Sequence, residues 1–305
     1  MMLMNRTPGM RNLLLPWSAY RKSFAVNLNE NNCLSISPSI DSQGHGIYAT
    51  SIPKSGTHLL NLILHNLGYK FCGLHAFDDS CNDYRLLPLG TQDHINYYPN
   101  VKELVLPIPF YVLVDLIPPD TILPSHLLNL ESIRKARLHN MNKILYTTRD
   151  LRHIHVSLMR HVMWIKGHGN PKTPVKNYTP IQMIEYCHSI DPFTGLMNLD
   201  YINKAARVAV SLKSEDYALG VCFEDITSNN RKNMESSINS ICTVTGKNSD
   251  DVFQAIQQSC GTDTLTYTGQ PSTLDRIWTQ EVEDIFVASG GDVLNEQLGY
   301  QRRHF

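Results

Sequence analysis

A single α/β domain, with a mostly parallel β-sheet covered by helices, is the fold class the sequence predicts, and three segments carry that prediction. Residues 46–53, Gly-Ile-Tyr-Ala-Thr-Ser-Ile-Pro, have the β-branched and aromatic character of a buried strand and run into a glycine-containing turn. Residues 143–148, Lys-Ile-Leu-Tyr-Thr-Thr, form a second such strand, followed by a helical pattern through about Lys166. Residues 219–223, Leu-Gly-Val-Cys-Phe, form a third, with two or three helices after it. Strands alternating with helices imply parallel pairing through crossover connections.

The first unit is the most sharply written. After the turn Lys54-Ser55-Gly56-Thr57, the residues Leu59, Leu60, Leu62, Ile63, Leu64 and Leu67 repeat at helical spacing until Gly68 stops the helix. Thr121–His126 reads as a short strand ending at a polar pair. The stretch from Cys72 to Pro119 is rich in Gly, Pro, Asn and aromatics and holds one apolar run, Phe110–Val114; its length suits a lid or pocket wall. A last helix is expected from about Thr279 to Gly299. Residues 1–44 show no sustained period and read as an N-terminal arm or cap, leaving 45–305 as the folded domain.

Composition narrows the function. The 305 residues carry 27 Lys plus Arg against 28 Asp plus Glu, which excludes the basic excess of a general nucleic-acid binder. An anionic ligand must then be met by a few local cations and by backbone amides. Seven scattered cysteines with no C-x-x-C pair read as reduced thiols. No run of 18 apolar residues occurs, so no membrane span is expected. Leu13–Leu15 is interrupted too soon, by Pro16, Trp17 and Arg21-Lys22, for a secretory signal; a cytoplasmic location is expected.

The turn Pro53-Lys54-Ser55-Gly56-Thr57-His58 stands where an α/β sheet binds anions. Consecutive amides converge there and the following helix adds the positive end of its dipole. It is a P-loop-like strand–turn–helix phosphate site, though not the standard nucleotide loop, because its lysine precedes the glycine. Taken alone, the turn favours phosphate binding only modestly over a plain helix-capping role.

Several elements in order resemble one family. Pro53-Lys54-Ser55-Gly56-Thr57 resembles the P-K-S-G-T-[TW] loop of cytosolic sulfotransferases, which holds the 5′-phosphate of 3′-phosphoadenosine 5′-phosphosulfate (PAPS). Arg149-Asp150 through Ser157 resembles the R-[DN]-x6-S segment that grips the 3′-phosphate, and Phe223-Glu224-Asp225 resembles the Y-E-D whose aromatic lies near the adenine. Ser125-His126-Leu127 resembles the [TS]-H-L that carries the catalytic base. Where the family has R-K-G this chain has Tyr267-Thr268-Gly269, with Arg276 as a substitute cation; Leu59 stands in place of a tryptophan and Pro124 in place of a lysine.

The resemblance implies PAPS as co-substrate, no metal, Lys54 and His126 as catalytic residues, and Lys54, Ser55, Gly56, Thr57, His58, Leu59, Arg149, Ser157, Phe223, Tyr267, Thr268 and Gly269 around the nucleotide. Sulfuryl transfer is mainly positioning plus neutralisation of charge. Lys54 would stabilise the leaving oxygen, Arg149 offers a fork suited to phosphate, and His126 would take the acceptor's proton. Arg149 could instead pair with Asp150, and Ser157 could be a solvent hydroxyl. His153 and His155 point about 200° apart on a helix and cannot chelate together; His161 and His168 lack a third ligand.

The expected partner is a small-molecule acceptor, bearing a hydroxyl or an amine, with a homodimer as the expected assembly. Asp78, Asp79, Asp83, Asp115 and Asp120 near the expected pocket suit a cationic acceptor, or are simply solvated. A secondary-metabolite tailoring enzyme fits the size. The alternative is a degenerate protein of the same fold that binds nucleotide or a partner without transferring sulfate.

Overall fold

The computed structural model describes residues 13–14, 24–29, 32–36, 46–83, 105–117, 120–139, 141–169, 178–189, 198–228, 230–260 and 277–301. The chain forms an α/β domain around a mostly parallel mixed sheet of eight strands. Its strands are β4 (Ile47–Ser51), β5 (Lys70–Phe71), β6 (Leu74–Ala76), β7 (Cys81–Asp83), β8 (Val105–Leu106), β9 (Thr121–Ser125), β10 (Ile144–Thr148) and β11 (Ala218–Cys222). Their order is β11-β10-β4-β9-β6-β7-β8, with β5 also on β9. The pairings around β4, β9, β10 and β11 are parallel, and only β6–β7 and β7–β8 run antiparallel.

Every residue of β4 and of β10 is buried, as expected of central strands covered on both faces. Alternation sorts the side chains. Ile47, Ala49 and Leu145 enter one apolar cluster, with α1 (Thr57–Asn66), α8 (Arg231–Thr245) and α9 (Ser249–Ser259). Tyr48, Ile144 and Tyr146 enter the other. That second face is covered by α3 (Leu130–Leu138), α4 (Leu151–Gly169), α5 (Pro180–Ser189) and α6 (Leu199–Leu212). The pair α10 (Gln280–Ala288) and α11 (Gly291–Leu298) completes it.

Pro124 lies inside β9, where a missing N–H should break a ladder. The break falls in a gap. On that side β9 is paired by β5 at Thr121 and Ile122 and by β6 at Ser125, and nothing pairs with Pro124 between them. The next amide on the same side, that of His126, donates to the Ala76 carbonyl at 2.9 Å. The chain therefore leaves β9 with His126 pinned to β6.

Two expectations need correcting, and the N-terminal arm gains detail. The region from Cys72 to Pro119 is not irregular where it is described: β6, β7 and β8 extend the sheet, and the apolar run forms the short helix α2 (Phe110–Val114). The N-terminal segment contains an antiparallel sheet of β1 (Leu13–Leu14), β2 (Phe24–Asn29) and β3 (Asn32–Ile36). Its asparagine-rich strands hid the alternation. The expected single C-terminal helix is two, broken at Gly290 (φ 76°), and a Cβ at the adjoining Gly291 would run into the Phe286 ring. The remaining short helix, α7 (Phe223–Ile226), follows β11 directly.

Candidate functional site

The carboxyl ends of β4, β9, β10 and β11 meet at one edge of the sheet, and each delivers polar groups there. β4 ends at Ser51, then turns through Pro53-Lys54-Ser55-Gly56 into α1. Ser55 is fully buried and locked: its amide donates to the Ile52 carbonyl (2.9 Å), and its hydroxyl lies 2.6 Å from Thr147 Oγ1 on β10. The loop is thus tied to the neighbouring strand rather than left hanging.

Gly56 is the N-cap of α1 and adopts φ 108°. A Cβ at this position would lie 2.6 Å from Phe223 Cδ2, so the glycine is required both by its backbone and by the ring packed on it. It offers no side-chain cap, and the first turn of α1 carries no acid. By contrast, Asn129, Asn198, Asn230, Asn248 and Thr279 cap α3, α6, α8, α9 and α10 with side-chain oxygens. The start of α1 keeps its amides and dipole available for an anion.

Lys54, at φ 72°, is half-buried, and desolvation pushes its pKa down to about 7. His58, on the first turn of α1, keeps an exposed face, yet crowding by protein and the nearby Lys54 lower it to about 4. Arg149 follows β10. Its Nη1 donates to the Lys54 carbonyl at 3.3 Å, and its guanidinium lies over the Phe223 ring, 4.1 Å from the centroid. The Arg149 Nε is buried without a hydrogen-bond partner.

The Asp150 carboxylate is otherwise engaged. It accepts from the Arg152 amide (2.9 Å) at the start of α4 and from Asn295 (3.2 Å), so it is a cap rather than the ion-pair partner of Arg149. The Asp150 amide donates to Glu224 (3.1 Å), which also accepts from the Tyr300 hydroxyl (2.9 Å).

His126 is 6% exposed and sits at the end of β9. Its Nδ1 lies 3.0 Å from the Ser51 carbonyl and 2.9 Å from Ser51 Oγ. A carbonyl accepts only, so Nδ1 carries the proton and Nε2 keeps its lone pair. Burial, with His58 and Lys54 nearby, holds the ring down to about 4. The His75 ring lies 4.5 Å away, Phe77 stands behind at 6.4 Å, and the Tyr201 hydroxyl donates to the His126 carbonyl at 3.4 Å.

The structure thus gathers Lys54, Ser55, Gly56, Thr57, Arg149, Phe223 and His126 around one sheet edge. Leu59 is 8% exposed and belongs to the apolar cluster under α1, where its helical phase turns it to the sheet. Ser157 lies half-buried on α4, and no hydrogen bond ties it to Arg149. Tyr267, Thr268, Gly269 and Arg276 lie outside the described residues.

The described aspartates near the expected pocket are engaged separately. Asp78 accepts the amides of Leu128 and Asn129, Asp115 pairs with His139 at 2.8 Å, and Asp79 and Asp120 are exposed. The Asp83 side chain lies outside the described set. Among the described residues no group of three His, Cys, Asp or Glu could hold a metal, and no helix is long and apolar enough to cross a membrane. His155 is fully buried beside Phe286 and Trp278.

Sequence reasoning missed two features. One is Ser51, whose hydroxyl bridges Thr57 Oγ1 (2.6 Å) and His126. The other is the buried pair of Arg152 and Glu283, bidentate at 3.0 and 2.6 Å, with the Trp278 indole donating to the same carboxylate. A serine two residues before a proline carries no signal by itself, and a pairing over 131 positions carries none.

No family model and no curated relative matches the chain. Among solved structures it is similar to mouse sulfotransferase SULT7A1 complexed with PAP, with a TM-score of 0.50 and 16% identity over 86% of this chain and 91% of that one. That likeness places the chain in the sulfotransferase fold.

Proposed function

We propose that this sulfotransferase-fold chain transfers a sulfuryl group from PAPS to a hydroxyl or amine of a small-molecule acceptor. The observation that carries the reading is the placement of a desolvated lysine and a lone-pair-bearing histidine at the ends of adjacent parallel strands, beside an uncapped helix start. The solved neighbour was crystallised with PAP, which supports a nucleotide of this type.

In this mechanism the amides opening α1, with the Thr57 hydroxyl, hold the 5′-phosphate, and Arg149 meets the 3′-phosphate. The acceptor oxygen or nitrogen attacks sulfur while the bond from sulfur to the bridging oxygen breaks. The acceptor's proton passes to His126 Nε2. The electron pair of the broken bond stays on the bridging oxygen, where protonated Lys54 neutralises it. A lysine at about 7 is half-charged near neutrality when the loop is empty, and an arriving phosphate restores its charge.

Single-turnover transfer from PAPS, with nucleotide binding measured alongside, tests the proposal. His126→Ala should retain nucleotide affinity and lose about 10²- to 10⁴-fold in turnover. Lys54→Ala should lose turnover and some affinity. Wild-type turnover by folded His126→Ala would refute the assignment. Nucleotide binding with no transfer to any acceptor would instead identify a non-catalytic binder.

A further inference from the structure

We infer that Ser51 is a positioning residue that joins the phosphate loop to the base: a polarised chain from His126 Nδ1 through the Ser51 and Thr57 hydroxyls ends on the bound phosphate. The inference rests on the donor reading given above and adds a link between its two halves.

Hydrogen counting fixes the direction of the chain. His126 Nδ1 faces the Ser51 carbonyl at 3.0 Å, which accepts only, so Nδ1 bears the hydrogen. The same N–H faces Ser51 Oγ at 2.9 Å, so that oxygen accepts from the ring. The one hydrogen of Ser51 then goes to its nearest remaining acceptor. Thr57 Oγ1 stands at 2.6 Å and the Ser125 carbonyl at 3.5 Å, so Thr57 receives it. Thr57 Oγ1 accepts from Ser51, which frees its own hydrogen to point elsewhere, and Thr57 is the first residue of the uncapped helix α1.

An anion seated on α1 completes the chain. When His126 gains the acceptor's proton, its positive charge is met at Nδ1 by two hydroxyl dipoles aligned toward a phosphate. Chains of this kind polarise one another in a site of low dielectric. The base is therefore more basic when donor is present than when the loop is empty. In the empty site burial suppresses the imidazolium, and an acceptor alone finds a poor base.

Other groups face the same ring. Lys54 comes from the loop, His58 from α1 and His75 from β6, while Tyr201 from α6, with Asp78 near it, reaches the His126 carbonyl rather than the ring. All stay in place when Ser51 is changed, so a Ser51 variant isolates the chain from through-space effects.

The test is nitrogen-15 NMR of His126 in the whole protein, with and without saturating adenosine 3′,5′-bisphosphate. In wild type the free ring should carry its hydrogen on Nδ1, and nucleotide should raise its titration midpoint. In Ser51→Ala that rise should shrink by about one pH unit, the size of a single hydrogen bond to a charged group. Thr57→Val cuts the next link and should shrink it equally when read at saturation, while Thr57→Ser should restore it.

Equal rises in wild type and Ser51→Ala, with nucleotide bound in both, overturn the chain and leave the donor reading standing. A free ring bearing its hydrogen on Nε2 overturns the chain as well. Failure of the nucleotide to bind at all overturns the donor reading and the chain together. If Ser51→Ala does not fold, the Thr57→Val and Thr57→Ser pair decides.

Discussion

The Phe223 ring is held between two residues of the expected nucleotide site, with the Arg149 guanidinium 4.1 Å above its centroid and the Gly56 backbone against its edge. The side chain expected beside an adenine is therefore also a brace, setting where Arg149 lies and how close α1 approaches β11. Gly56→Ala should push this ring aside and force a left-handed alanine. The expected outcome is a loss of about 1–3 kcal/mol in denaturant unfolding and a larger loss in nucleotide affinity. Phe223→Leu should weaken the same binding with less effect on folding, and Phe223→Tyr should preserve it.

Arg149→Ala should weaken nucleotide binding more than it slows the bound complex. A phosphate remote from the reacting sulfur is held alike in ground and transition states, so losing its contact is a loss of uniform binding. Calorimetric titration with adenosine 3′,5′-bisphosphate measures this. An unchanged dissociation constant would assign the side chain to the Phe223 brace alone.

The pH dependence of kcat/KM for the donor should have its limbs in unusual places. As the proposed base, His126 would act neutral, so its contribution should be lost as pH falls through about 4. As the proposed leaving-group cation, Lys54 would act protonated, so its contribution should be lost as pH rises through about 7. Activity of the free enzyme should peak between these values. Lys54→Arg should push the alkaline limb upward, whatever it does to the rate. An alkaline limb unmoved in that variant would mean that another group sets it.

Arg152 and Glu283 tie α4 to α10 in an interior where both are almost wholly covered. Removing one partner leaves a buried charge, so Arg152→Ala should destabilise the fold by about 3–5 kcal/mol in chemical denaturation. Replacing both by apolar residues of similar volume should recover most of that loss. A small effect of the single change would show that water reaches the pair.

How much the sequence disclosed depended on the range of the signal. β4, the loop and α1 were legible because strand, turn and helix are written contiguously in residues 46–68. His126 and Arg149 were legible as residues that follow strands, and the sheet order then brings their strands to β4 on either side. At Leu59 a motif position read without its helical phase does not disclose that the side chain turns inward. The aspartates were read as suiting a cationic acceptor or as simply solvated, and what their sequence positions could not show is that Asp78 holds two loop amides and Asp115 a histidine at the end of α3. The Arg152–Glu283 pair and the Ser51 bridge depend on tertiary proximity alone, which no local pattern announces.

The φ of 72° at Lys54 has a consequence for the stability of this chain. A non-glycine residue in the left-handed region carries a penalty of roughly a kcal/mol, and here that penalty falls on the same residue whose amine is partly desolvated. Glycine would relax the backbone at this position and remove the buried amine together. Lys54→Gly should accordingly melt later than the parent while failing to turn over. The left-handed backbone at Lys54 is thus a local cost to the fold that a glycine would not carry, and the amine is what that cost retains.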